Sequence, residues 1–112
     1  MLLHEIYDNC VIYRFKAKPT NKVIIGNFEV KDRDDHYAIW NLSIFGGYRN
    51  KGYGTQMLTE FLAEFKHDKP VVLYVYKENT VAIRLYEKVG FVISRECSFT
   101  CDAWEMRYEV KS

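Results

Sequence analysis

Val71-Val72-Leu73-Tyr74-Val75-Tyr76 is apolar at every position, the pattern of a strand covered on both faces instead of one. It follows a segment with a different period. Between residues 53 and 67 the large apolar side chains Met57, Leu58, Phe61, Leu62 and Phe65 recur one helical turn apart, which predicts a helix packed along one face. Upstream, residues 37–45 read as a strand. Strand, helix and buried strand in that order form a right-handed crossover, so segments 37–45 and 71–76 are predicted to run parallel. That unit fixes the centre of the fold.

The flanking segments are arranged around it. Residues 5–16 and 23–31 are rich in β-branched and aromatic side chains and are separated by Lys18-Pro19-Thr20-Asn21-Lys22, which predicts a hairpin. Asp32-Arg33-Asp34-Asp35 is a charged turn into the strand at 37–45. A second helix is predicted after Asn79, a suitable N-cap, with Val81, Ala82, Leu85, Tyr86 and Val89 on one face and Gly90 at its end. Strands at 91–97 and 104–110 close the chain as a hairpin. The expected fold class is α/β: a mixed, mostly antiparallel sheet with a central β-α-β crossover, in one domain spanning residues 1–112.

Composition narrows the function classes. With 48% hydrophobic residues and 16% aromatics, the chain is far from a disordered composition. A formal charge of +1 supplies no global field for nucleic acid or an anionic membrane, and neither is expected as a partner. Residues 1–5 lack the charged and apolar regions of a signal peptide, and no apolar run approaches the roughly 20 residues of a membrane span. Cys10, Cys97 and Cys101 lack paired metal-ligand spacing, so reduced thiols, no metal and a cytoplasmic setting are expected.

Chemistry is concentrated in Ile44-Phe45-Gly46-Gly47-Tyr48-Arg49-Asn50-Lys51-Gly52-Tyr53-Gly54-Thr55, between the predicted strand and the first helix. Glycines let the backbone turn tightly, and the first amides of the helix have no internal acceptor, so several N–H groups converge on one concavity. That is the design of a phosphate site, although a plain Gly-rich turn would read the same way. Tyr53 follows Gly52, so the Lys-Ser/Thr of a Walker loop is absent, and GxGxxG is not spelled.

The segment Arg49-x-x-Gly52-x-Gly54 after an apolar strand resembles the acetyl-CoA pyrophosphate signature of the GNAT family of N-acetyltransferases. A second block, Asn79-x-x-Ala82-x-x-x-Tyr86-x-x-x-Gly90-Phe91, resembles that family's second helix, and together the two cover residues 39–92. The resemblance implies a GNAT-like acyl-CoA N-acyltransferase fold in which the two parallel strands splay and the pantetheine arm of acetyl-CoA enters between them. Carried over by position, Ile44, Phe45 and Gly46 offer backbone groups to the pantetheine and thioester. Arg49, Asn50, Lys51, Gly52, Tyr53, Gly54 and Thr55 hold the pyrophosphate, and Asn79 bonds the pantetheine or simply caps its helix. Gly52 and Gly54 then matter because a β-carbon would obstruct the diphosphate.

The resemblance also implies direct attack of an amine on the thioester, which requires a neutral amine, an oxyanion donor and a proton for the departing thiolate. A backbone N–H near Ile44 or Phe45 is expected as the oxyanion donor. Tyr86 is the expected proton donor, and its place on the stripe with Leu85 and Val89 suits core packing equally. Presenting a lysine amine neutral at pH 7 costs about 4 to 5 kcal/mol, against about 1 for an α-amine. Where protein-directed relatives carry a glutamate base, this sequence has Ala38 and Tyr74. His36 is predicted to share a face with Ala38 and is the candidate base, although beside Asp34 and Asp35 it also reads as a solvated turn residue. Glu29, Glu78 or a chain of waters are alternatives.

The chain resembles a short member without the usual N-terminal strand and helices, which leaves the acceptor side bare. Either a large acceptor brings its own surface or a second subunit, in a homodimer, covers the groove through aromatics such as Tyr7, Tyr13, Phe15, Trp40 and Phe99. The function implied is acetyl transfer from acetyl-CoA to a primary amine of a small molecule or protein. The alternative is a non-catalytic acetyl-CoA-binding or regulatory module on the same fold.

Overall fold

The structure, a computed structural model, describes residues 1–16, 20, 22–49, 51–65 and 68–109. Along the chain lie β1 (Leu2–Ile6), β2 (Val11–Phe15), β3 (Gly26–Asp32), β4 (Tyr37–Ile44), a 3-10 turn (Gly46–Tyr48), α1 (Tyr53–Glu64), β5 (Val71–Tyr76), α2 (Thr80–Val89), β6 (Val92–Glu96) and β7 (Ala103–Tyr108). The strands form one sheet in the order β1-β2-β3-β4-β5-β7-β6. Only β4 and β5 pair in parallel; the other five pairings are antiparallel. The mixed α/β class and the parallel crossover strands therefore agree with the sequence.

The N-terminal segment departs from expectation. Residues 5–16 are not one strand, because the chain reverses at Asp8-Asn9, where the Tyr7 N–H donates to the Cys10 carbonyl at 2.8 Å. Both turn residues favour such a reversal through their short polar side chains, and the β-branched residues on either side masked it. The expected absence of an N-terminal strand is corrected accordingly: β1 forms the edge of the sheet and passes to β2 through that turn, with no helix between them.

Register assigns the two sheet faces. Val30, Ile39, Leu73 and Met106 lie side by side across β3, β4, β5 and β7 and are all buried with Met57, Leu58 and Phe61 of α1. Rings tie the helix to the sheet, with Phe61 edge-on to both Phe28 and Tyr13 at 5.0 and 5.1 Å. Tyr86 of α2 meets Phe91, and Phe91 in turn meets Tyr108, so α2 covers the same face. The opposite face carries Ala38, Val72 and Arg107 in one row, and Trp40, Tyr74 and Glu105 towards the other end. Among the described residues no helix lies over it.

Helix ends follow their caps. The Asn79 side chain accepts from the Ala82 N–H at 3.2 Å, and Gly90 ends α2 at φ 113°, as the pattern predicts. α1 stops at Glu64, earlier than the apolar stripe suggests. Phe65 is extended there and its ring packs on Phe61 and Tyr37, so its hydrophobic contact is kept without a further helical turn. Residues 66 and 67 of the expected helix lie outside the described residues. No helix of the described residues is long and apolar enough to cross a membrane.

Candidate active site

The parallel pair is short. Tyr37, Ala38 and Ile39 pair with Val71, Val72 and Leu73, and beyond that point residues 40–44 and 74–76 are not paired with one another. The cause is visible on the other side of β4. Asn27 faces Ser43 and Glu29 faces Trp40, with a register shift between them, so Phe28 alone stands opposite Asn41 and Leu42. That is a β-bulge, which bends a strand and increases its twist. Asn41 takes φ 55° there, a left-handed conformation that asparagine adopts more readily than most residues. Its side-chain amide donates to the Glu29 carboxylate. Replacement of Asn41 by Val is expected to cost about 1–3 kcal/mol relative to Asn41→Gly, because a β-branched residue resists this φ. Urea unfolding of the two variants checks it, and equal midpoints would contradict it.

Two cavities open from the gap. One, of about 490 Å³, lies on the helix side between the end of β4, the start of α1 and α2, and is lined by Ile44, Arg49, Gly52, Tyr53, Gly54, Thr55 and Asn79 among others. The second, of about 260 Å³, is lined by Ile39, Trp40, Leu73, Tyr74, Phe99 and others, drawn from both faces of the sheet. Leu42 and Tyr86 line both. A slot therefore passes through the sheet where its strands part, with the Tyr86 side chain at the junction. Tyr86 is buried, and burial raises its phenol above the usual tyrosine range, so it stays protonated at neutral pH.

Backbone polarity at the first cavity suits a diphosphate. Residues Tyr53, Gly54 and Thr55 open α1, and their N–H groups have no carbonyl one turn back. Gly52 precedes them at φ +79°, and a β-carbon there would meet no protein atom within 4 Å, so its substituent would project into open space beside these amides. Gly54 is different. It is buried, and a β-carbon would come within 2.8 Å of Leu85 Cδ1 on α2, so any larger residue here would require the Leu85 side chain to shift.

The strand end needs similar refinement. The Phe45 N–H donates to the Ile25 carbonyl at 2.9 Å and is not free to serve as an oxyanion donor. By the alternation of a strand, the Ile44 peptide groups face the other way, into the gap. The Ile44 carbonyl accepts from Arg49 Nε at 3.0 Å, so Arg49 braces the end of β4 as well as lining the cavity. Phe45, Gly46 and Lys51 are exposed and are not among the lining residues. Asn50 lies outside the described residues. Leu42, Ser43, Tyr48, Val81, Ala82 and Leu85 also line this cavity; Tyr48 belongs to the glycine-rich segment and Val81, Ala82 and Leu85 to the face of the second helix, whereas nothing in their residue types marked Leu42 and Ser43 in the sequence.

The expected base is not brought to the slot. His36 belongs to the turn before β4, at the paired end, where its Nδ1 lies 2.6 Å from Asp35 Oδ1; it lines neither cavity. It precedes β4, which starts at Tyr37 as expected, so strand alternation does not govern its direction. Ala38 is buried, and Tyr74 lines the second cavity. Glu29 is engaged by Asn41, and Glu78 is exposed in the turn before α2. Of the aromatics expected to cover a contact, Phe15 is fully buried and Tyr13 stacks on Phe28 at 5.0 Å, so both belong to the core. Cys10, Cys97 and Cys101 are free thiols.

A mixed sheet parted at its one parallel pair, with a helix start and a buried tyrosine at the gap, defines the GNAT-like acyl-CoA N-acyltransferase fold. The sequence profile of the acetyltransferase (GNAT) family matches residues 3–91, and the chain belongs to that family. Over 86 residues, 71% of the chain, it is 35% identical to the SPbeta prophage-derived uncharacterized N-acetyltransferase YokL of Bacillus subtilis. It spans about half of that relative, 48% of its length. Among solved structures it is similar to a ribosomal-protein-S18-alanine N-acetyltransferase from Escherichia coli, with a TM-score of 0.78 at 19% identity over 96% of this chain and 73% of that one. It also resembles a GNAT family acetyltransferase from Elizabethkingia anophelis with acetyl-CoA bound, with a TM-score of 0.74 at 22% identity over 91% and 77% of the two chains.

Proposed function

We propose that this chain is an acetyl-CoA-dependent N-acetyltransferase that passes the acetyl group to a primary amine by direct attack. The observation that carries the reading is the slot itself: two cavities at the parted strands that share Leu42 and Tyr86. In this reading the N–H groups of Tyr53, Gly54 and Thr55 bind the pyrophosphate with the favourable end of the α1 dipole. The Ile44 carbonyl, held by Arg49 Nε in the absence of ligand, passes to the pantetheine arm in the manner of an added strand, and the Ile44 N–H faces the charge that develops on the thioester oxygen. Asn79 is occupied as a helix cap and keeps a side-chain N–H₂ for the same arm.

Tyr86 donates the proton that the departing thiolate needs. A buried, neutral phenol suits that role. The proposal gives the base role to no side chain, since His36 lies at the paired end of β4 and Ala38 and Tyr74 are not carboxylates; water carries the amine proton away. Calorimetry with acetyl-CoA, followed by a thiol assay for free CoA in the presence of amines, tests the reading. Binding together with amine-dependent thiol release is expected. Binding without release for any amine would favour a regulatory module on the same fold, and no binding by folded protein would overturn the reading altogether.

A further inference from the structure

The second cavity is the side of the slot from which an acceptor would come, because it meets the first at Leu42 and Tyr86 and is lined by Trp40 and Tyr74 of the helix-free face. Its chemistry is unusual for an amine site. Among the described residues no Asp, Glu, Lys, Arg or His lines it. Charged groups stand behind this lining: Glu105, which acts on Tyr74 together with Arg95 and Arg33, holds Arg95 through two contacts of 3.1 and 3.4 Å, Glu29 accepts from Asn41, and the Lys31 ammonium sits 5.6 Å from the centre of the Trp40 ring. A polyamine or an amino-acid carboxylate would leave water there without finding a counter-charge.

What the cavity does offer is aromatic surface. The rings of Trp40 and Tyr74 lie 5.1 Å apart, Tyr74 and Phe99 5.2 Å, and Trp40 and Phe99 6.1 Å. The first two stand on neighbouring strands of the parted pair, whereas Phe99 reaches over from the β6–β7 loop with 62% of its surface exposed. Such a corner can take one more ring in an offset or edge-on arrangement. At about 260 Å³ the space is smaller than the roughly 300–1,000 Å³ typical of sites for drug-sized ligands.

We propose that the acceptor is a small primary amine carried on a flat, uncharged aromatic group, an arylalkylamine, whose ring packs against Trp40, Tyr74 and Phe99. The inference rests on the transferase reading above and names the substrate class for that site. It also supplies a route to the attacking form. The aromatic and aliphatic lining removes the amine from water and so disfavours the ammonium relative to the neutral amine, which is the work a carboxylate base would otherwise do. The amine nitrogen then forms its bond to the acetyl carbon as the carbon–sulfur bond breaks, its proton leaves to water and the thiolate takes one from Tyr86.

The test uses the full chain with acetyl-CoA binding first established by calorimetry, then thiol release with phenethylamine, spermidine and a peptide bearing an N-terminal alanine. The kcat/KM for phenethylamine is expected to exceed that for either competitor by about tenfold or more, and Phe99→Ala is expected to lower it about tenfold with acetyl-CoA affinity unchanged. Phe99 is exposed, so its removal leaves the fold intact. Thiol release with spermidine or the peptide matching that with phenethylamine would overturn the substrate class and leave the transferase reading standing. An unchanged rate for Phe99→Ala would overturn the role of the ring corner, and no thiol release with any amine would overturn both readings.

Discussion

Gly52→Val is expected to weaken acetyl-CoA binding by at least about 10-fold to 100-fold, equivalent to about 1.4 to 2.8 kcal/mol. Two effects act together. Gly52 holds φ +79° immediately before α1, where a β-branched residue is strained by about 1–3 kcal/mol and shifts the backbone that aims the helix-start amides. The new side chain also meets no protein atom within 4 Å of its β-carbon, so it projects into space beside these amides. Gly52→Ala separates the two effects, since it keeps most of the strain and adds little bulk. Calorimetric titration of both variants, alongside urea unfolding, reads binding and stability independently. Undiminished affinity in Gly52→Val would show that the diphosphate lies elsewhere.

Tyr86→Phe is expected to lower kcat by about 100-fold or more while acetyl-CoA affinity changes little, because general-acid catalysis contributes about 10² to 10⁴ in rate. The ring that packs against Phe91 at 6.3 Å is kept, so the variant removes the hydroxyl and little else. The pH dependence has a definite sign. Burial raises the Tyr86 phenol above its ordinary value of 10.0, so the protonated donor persists through neutral and mildly alkaline pH and kcat declines only above that value. Folding linkage runs in the same direction: a raised phenol favours the folded state below pH 10 and loses that contribution as pH rises through the folded value. A parallel loss of kcat and cofactor affinity in Tyr86→Phe would instead make the residue a packing element.

Much of this site could be read from the chain because its parts are set by local rules. The uniform apolarity of Val71–Tyr76, the stripe at Met57, Leu58 and Phe61, and the glycines around Tyr53 each follow from a period or a backbone requirement that needs no partner. What escaped depends on a second strand or helix. The bulge at Asn41 exists only against Phe28 of β3, and one asparagine in an otherwise strand-like run was its sole trace. The tie from Phe45 to Ile25 depends equally on registry, and the approach of Gly54 to Leu85 depends on the packing of the two helices. His36 lies one residue before β4, in the turn where it meets Asp35, so alternation along the strand could not place it. The turn at Asp8-Asn9 was legible in principle, since both residues favour reversal.

The central claim is that acetyl-CoA enters where β4 and β5 part and is held by backbone groups on either side. An NMR titration of the full chain with CoA, following each backbone amide, tests it most directly. The amides of Ile44, Tyr53, Gly54 and Thr55 are predicted to shift together and saturate at a single affinity, with those of β1 and β6 undisturbed. Shifts confined to the sheet edges, or none at hundreds of micromolar CoA, would contradict it.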